Sequence, residues 1–288
     1  MGQKGQAAPL EVKDLLQARI LARLFAQEAG RNVVRMALKG GMAMRLAHGS
    51  ARHTKDIDLD ADVDESKNSR LSIKRNIQRA IEQATAGGWI RDVEITNPVD
   101  GEATTRWKVG GVLTQTGLPI HLTLELSHRD KIEAASLMET AIEDMAGGKV
   151  KIPVYSATRM FTTKAAAAHG RVAPRDTLDL YFLLVRGEVE ADATVLLDYI
   201  NNQQLQHGKP IQTMEQACEQ IFDNMNLVDE AQFVEQVLPN WDNKLHITWQ
   251  DYQDMRTEVQ TFLWDLLMEG KTPDPVRPVG MYGHGHGH

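Results

Sequence analysis

The segment DIDLDADVD places an acid at every second position from Asp56 to Asp64. Strict alternation is the period of a β-strand, whose successive side chains point to opposite faces. Ile57 and Leu59 then pack into a core, while Asp56, Asp58 and Asp60 share the other face, about 6.6 Å apart from one to the next. Like charges so arranged repel unless a cation lies between them. This strand constrains the chain more than any other stretch. It needs a sheet with one face on a core, and its acidic face needs a cation or open water. An acidic edge strand that discourages aggregation meets the same requirement without chemistry.

Two Mg²⁺ ions about 3.5–4 Å apart suit such a carboxylate pair, with one carboxylate bridging. Mg²⁺ favours one or two carboxylates completed by phosphate oxygens. A calcium loop of the EF-hand type needs Gly at its sixth place and Glu at its twelfth. Counted from Asp56 those places hold Ala61 and Lys67, and from Asp58 they hold Val63 and Ser69, so both registers fail. Upstream, Gly40 and Gly41 precede the helical stretch MAMRLAHG. Free N–H groups and the dipole at a helix start favour phosphate, and glycine lets it approach the main chain. The spacing of a Walker P-loop is absent. In IHLTLEL, residues Ile120, Leu122, Leu124 and Leu126 form an apolar face opposite His121, Thr123 and Glu125. Glu125 is therefore the one carboxylate on the polar side of that strand.

The rest of the chain divides near residue 155. Residues 10–29 and 66–86 read as amphipathic helices, and WIRDVEIT, TTRWKVGGVLTQTG and PIHLTLELS as strands separated by turns. From Ser156, a plausible N-cap, SATRMFTTKAAAAHG is helical, and so is PRDTLDLYFLLVRG, with Pro174 at its start and Gly187 past its end. Residues 191–270 are helical, acidic and rich in Gln, Asn and Met. The expected organisation is a core domain over 1–155, a helical domain over 156–272 and a His/Gly tail over 273–288. His284, His286 and His288 of that tail could bind metal adventitiously.

The formal net charge of −7 excludes a blanket nucleic-acid binder. Its distribution is uneven: residues 17–55 carry eight Lys/Arg against Glu28 alone, 149–175 carry six against no acid, and 186–270 carry four against sixteen acids. An anion belongs near the first two stretches. No run of 18 apolar residues spans a membrane, MGQKGQAAPLEVKD lacks a signal core, and the single cysteine, Cys218, suits a reducing cytoplasm.

LKGGMAMRLAHGSARHTKDIDLD resembles the glycine-doublet and DIDL signature of the abortive-infection AbiEii/AbiGii-type nucleotidyltransferases. LTLELS resembles their third-carboxylate strand, and TTKAAAAHGRVAPRDTLDLYFL their lysine helix and RDxxD helix. The resemblance covers roughly residues 30–186. It implies an α+β fold with a polymerase-β-like nucleotidyltransferase core, followed by a helical region that completes the active site. It implies catalytic Asp56, Asp58, Glu125, Lys164 and Asp176, with Asp56, Asp58 and Glu125 as ligands of Mg²⁺ or Mn²⁺. It implies nucleotide contacts from Gly40, Gly41, Arg52, Thr54, Lys164, Arg175 and Asp179. It further implies a toxin of a toxin–antitoxin or phage-defence system, with an NTP as substrate, tRNA or another translation component as acceptor, and a cognate antitoxin. Met42 departs from the family's Thr or Ser after the glycines and removes a hydroxyl contact to phosphate. A protein acceptor, a catalytically idle nucleotide sensor on the same fold, and an antitoxin-like protein are the competing readings.

Overall fold

The alternating segment folds as a strand, Asp56–Asp62 (β2), inside a seven-stranded mixed sheet in a computed structural model of the chain. The residues described are 10–28, 35–62, 67–101, 103–128, 131–143, 147–242 and 245–268, so Val63, Asp64 and the His/Gly tail fall outside them. Two compact units divide the chain: 1–47 with 53–155, and 48–52 with 156–288.

In the first unit, Arg35–Lys39 (β1) runs into helix Gly40–Ala47 (α2), and β2 returns antiparallel beside β1. Ile90–Asp100 (β3), Thr104–Leu113 (β4) and Pro119–Ser127 (β5) form an antiparallel meander, and β5 joins β2 in parallel. Leu137–Glu143 (β6) and Lys149–Tyr155 (β7) make a hairpin whose second strand lies parallel to β1. The order across the sheet is β3-β4-β5-β2-β1-β7-β6, so the acidic strand is central and not an edge. A central place removes aggregation control as its explanation, since both its hydrogen-bonding sides are already paired. Leu10–Glu28 (α1) and Lys67–Thr85 (α3) pack against each other, and α1 also packs on the sheet. Their Leu16, Ile20, Leu24, Ile73, Ile77 and Ile81 are fully buried, as helical spacing requires of one face.

The second unit is helical: Ala157–Gly170 (α4), Pro174–Val185 (α5), Ala193–Gln206 (α6), Met214–Asn226 (α7), Glu230–Gln236 (α8) and Trp249–Met268 (α9). Ser156 caps α4 by accepting from the Arg159 N–H, Pro174 opens α5, and capping boxes start α7 at Thr213 and α8 at Asp229. Phe233 of α8 packs against Trp249 and Tyr252 of α9. Segment 48–52 folds with these helices. Arg52 bridges to Trp241 as an isolated β-bridge, and the Asp242 N–H donates to the Ala51 carbonyl at 3.1 Å. The architecture is the mixed sheet with flanking helices and a helical C-terminal region that the sequence led one to expect.

Candidate active site

Backbone register builds the acidic site before any side chain is considered. Lys39 of β1 stands opposite Asp58 of β2, Asp58 opposite Glu125 of β5, and Glu125 opposite Arg106 of β4. Four strands thus present one transverse row of cation, anion, anion, cation. Residues opposite one another across paired strands share a sheet face, so Asp58 and Glu125 are brought together as neighbours. Asp56, two residues before Asp58, lies on the same face opposite Thr123. Asp56, Asp58 and Glu125 are half-buried, and Ile57 and Leu59 between the aspartates are fully buried.

Asp60 continues the row of aspartates but has a different environment. It is 2% exposed, takes the Lys39 ammonium at 2.5 Å on Oδ1, and accepts from the Tyr155 hydroxyl at 2.8 Å on Oδ2. Both its oxygens are committed inside the fold. Of the three aspartates expected on one open face, Asp56 and Asp58 remain there and Asp60 is withdrawn as a core ion pair.

The Gly40–Gly41 doublet lies against Asp58. Gly40 begins α2 with φ +67°, the left-handed region that favours glycine. A Cβ at Gly40 would overlap the Asp58 carboxylate. The glycine turn and the acidic strand therefore meet at one place, with the start of α2 over the aspartate. Met42 turns the other way: it is 1% exposed and belongs to the core under α2. The Thr54 hydroxyl accepts from the Asp56 N–H at 3.2 Å, and Gln17 Nε2 donates to the Thr54 carbonyl, also at 3.2 Å. Thr54 thus shapes the entry into β2.

Glu125 is already occupied. Arg106 Nη2 and Nε donate to its Oε2 at 2.6 and 3.0 Å. The hydrogen bond and charge of Glu125 raise the Arg106 pKa, with further contributions from Asp56 and Asp58. Arg106 is therefore the ion-pair partner of Glu125 and feels the charges of Asp56 and Asp58. Among the described residues no three His, Cys, Asp or Glu side chains converge as a ready-made metal cage. Asp56 and Asp58 stand as two carboxylates on one face, Asp58 beside the start of α2. That set fits Mg²⁺, which takes one or two carboxylates and completes its shell with phosphate oxygens and water.

The second unit holds the other residues implied by the resemblance. Asp179, fully buried, accepts from Arg52 Nη2 at 2.9 Å and pairs with Lys164 Nζ at 2.5 Å. Asp176, also fully buried, takes Arg171 Nε at 2.7 Å and Nη2 at 2.9 Å, and lies 3.9 Å from Lys164. Burial pushes the Asp179 carboxyl up, but the charges and hydrogen bonds of Arg52 and Lys164 outweigh it and hold the group below its ordinary value. Lys164 is 9% exposed: small alanine neighbours seat it inside the helical unit. Asp179 is its nearer acid, not Asp176. Arg175 is exposed on the first turn of α5.

Three participants escaped the residue-by-residue reading: Arg106, Lys39 and Arg171. Arg106 alternates with the buried Thr105 and Trp107 in TTRWKV, which marks it as facing outward, but its partner depends on strand register. Beside the acids, Lys55, Glu94, Thr96, Lys108, Gly110, His121 and Thr123 line a cavity of about 360 Å³.

A glycine turn over a central aspartate pair suits the handling of a nucleotide's phosphates, and the enzyme class is that of a nucleotidyltransferase. The chain belongs to the AbiEii family, described as nucleotidyl transferase AbiEii toxin of type IV toxin–antitoxin systems, which it matches over residues 19–260. Solved structures share its fold. MenT4, a nucleotidyltransferase toxin from Mycobacterium tuberculosis H37Rv, aligns with TM-score 0.57 and 14% identity over 89% of this chain and 84% of that one. JHP933 from Helicobacter pylori aligns with TM-score 0.56 and 16% identity over 92% and 96%. A putative nucleotidyltransferase from H. pylori aligns with TM-score 0.54 and 17% identity over 92% and 99%. No curated protein matches the chain. Among the described residues no helix is long and apolar enough to cross a membrane.

Proposed function

We propose that the chain transfers a nucleoside monophosphate from an NTP to the hydroxyl of an RNA acceptor, tRNA foremost, as the toxin of a pair with a cognate antitoxin in the cytoplasm. The observation that carries this reading is the Gly40 turn lying on the Asp58 carboxylate. It sets N–H donors for phosphate beside ligands for a divalent cation.

Asp56 and Asp58 would hold Mg²⁺, or Mn²⁺ in its place, and the ion would supply charge neutralisation at the phosphates. Gly40 and Gly41 fix the triphosphate through their N–H groups, where the dipole of α2 adds to the attraction. The acceptor oxygen bonds to the α-phosphorus, the bond to the bridging oxygen breaks, pyrophosphate leaves, and the hydroxyl proton is released to solvent. Arg106 holds Glu125 in an ion pair and lowers the repulsion between three neighbouring acids, and Glu125 would complete the metal site if that pair opened. In the second unit, Asp179 fixes Lys164 and Arg52, and Lys164 is the residue there that the family resemblance assigns to a phosphate. Positioning and electrostatics supply most of the acceleration in reactions of this kind.

The test is incubation with each α-labelled NTP and total cellular RNA, with and without Mg²⁺. Label should enter RNA only with the ion, and Asp58→Ala should abolish it while the circular-dichroism spectrum is kept. Full activity in that variant would refute the assignment. Label in protein instead of RNA would establish the competing acceptor class, and no turnover of any NTP would establish an idle nucleotide-binding fold.

A further inference from the structure

The cavity beside the acids has a defined place in the sheet. Its floor is made by β3, β4 and β5 on the face that carries Glu125. In one row Thr96 stands opposite Lys108, Lys108 opposite Thr123, and Thr123 opposite Asp56. In the next row toward its outer end, Glu94 stands opposite Gly110 and Gly110 opposite His121. The first row continues from Thr123, which lines the cavity, to Asp56 on the neighbouring strand, so the cavity lies beside the aspartate pair. The Gly40 turn lies on the opposite flank of β2, because β1 and β5 are its two neighbours.

That placement divides the work of the site. In-line displacement puts the entering and leaving oxygens on opposite sides of the phosphorus. With the triphosphate on the glycine flank, the entering hydroxyl approaches from the cavity flank. We propose that this cavity seats the acceptor, and that the acceptor is the end of a polynucleotide strand whose phosphodiester groups are held by Lys55 and Lys108. The proposal rests on the reading of the chain as an RNA-directed transferase.

The chemistry of the lining supports a polyanion. Lys55 and Lys108 are exposed, and neither is among the lysines in ion pairs with described residues, which are Lys39, Lys74, Lys151 and Lys164. Lys13 of α1 lies near Lys55, and its pKa is lowered first by burial and then by that neighbouring charge. Cations crowded together in this way gain from an anion between them. Gly110 leaves space for an imidazole: a Cβ there would approach His121 Nδ1 to 3.2 Å. His121, Thr96 and Thr123 offer hydrogen-bonding groups to a sugar or base edge. The volume is at the lower end of sites that hold small ligands, so it suits one terminal nucleotide and not a folded protein surface.

The experiment uses the full chain and a short fluorescein-labelled oligoribonucleotide with a free 3′ hydroxyl. Anisotropy is titrated across a salt series, and NTP affinity is measured separately by calorimetry with Mg²⁺. The Lys55→Ala/Lys108→Ala protein should bind the oligoribonucleotide about tenfold more weakly, and its salt slope should fall by about 0.7 for each phosphate that is no longer neutralised. NTP affinity should be unchanged. Equal binding and slope in the variant, with the wild type binding well, overturn this seat and leave the RNA reading standing. Loss of NTP affinity with oligoribonucleotide binding retained overturns it also, by placing the cavity on the donor side. A wild type that turns over NTP but ignores the oligoribonucleotide at low salt overturns the seat and the RNA reading together.

Discussion

Replacing Asp179 by alanine should cost the protein more stability than any surface change could. The carboxylate is fully buried and neutralises two cations, Arg52 at 2.9 Å and Lys164 at 2.5 Å. Breaking one buried ion pair by removing a partner costs roughly 3–5 kcal/mol, because the other charge is left uncompensated in low dielectric. Here two cations lose their counter-charge at once. Asp176, 3.9 Å from Lys164, retains part of that lysine's attraction. The expected loss is therefore about 4–5 kcal/mol, a large part of the ~5–15 kcal/mol that holds a typical protein folded. Urea unfolding followed by circular dichroism measures it, and hydrogen exchange of peptides from α5 localises it. Replacing all three charges together by apolar residues of similar volume should recover most of the loss. A loss below about 1 kcal/mol, the level of an exposed pair, would refute the reasoning. The pH dependence has a definite sign. The Asp179 pKa is depressed in the fold from its ordinary value of 3.8. Its contribution is complete above that value and is lost as pH falls below it through the folded pKa. Asp179→Asn should flatten the acid limb of the stability profile.

Gly40→Ala should destroy NTP binding measured by calorimetry, since its left-handed φ and the Asp58 carboxylate both oppose a Cβ. The backbone conformation alone adds about 1–2 kcal/mol of destabilisation. Arg106→Ala frees Glu125 beside Asp58, so Mn²⁺ binding without nucleotide, read by electron paramagnetic resonance, should tighten about tenfold, the equivalent of ~1.4 kcal/mol; unchanged affinity would deny Arg106 its neutralising role. Cys218 is 1% exposed and its thiol is pushed up to about 11 by burial and by Glu219. Iodoacetamide at pH 8 should leave it unlabelled in the native protein and label it in urea, as mass spectrometry will report.

The parts of this molecule legible in the sequence are those whose signal is local. Period two in DIDLDAD gave β2 and the face of Asp56 and Asp58, and Ser156 and Pro174 gave the starts of α4 and α5. Period says nothing of depth along a strand. Asp60 has the same parity as Asp58, but Tyr155 and Lys39 close over it, and both come from other strands. The Arg106–Glu125 pair was hidden for a related reason: two residues 19 apart meet only because β4 and β5 pair in one particular register. Strands β6 and β7 escaped notice because Pro153 and the charged residues around it interrupt any apolar run there. Lys164 reads locally as a solvated helix residue. Its burial is decided by Asp176 and Asp179, two acids of the next helix, i and i+3 on one face.

Residues 48–52 have a consequence for anyone wishing to dissect the protein. The polypeptide leaves the first unit after Ala47, contributes five residues to the helical one, and comes back at His53 before departing again at Ser156. No single scissor cut yields two whole pieces. A fragment ending at Tyr155 keeps Arg52 but loses Asp179 and Trp241, and the complementary fragment keeps those two without their guanidinium. Inheritance of the halves is thereby tied together: recombination at the apparent seam would part Arg52 from Asp179.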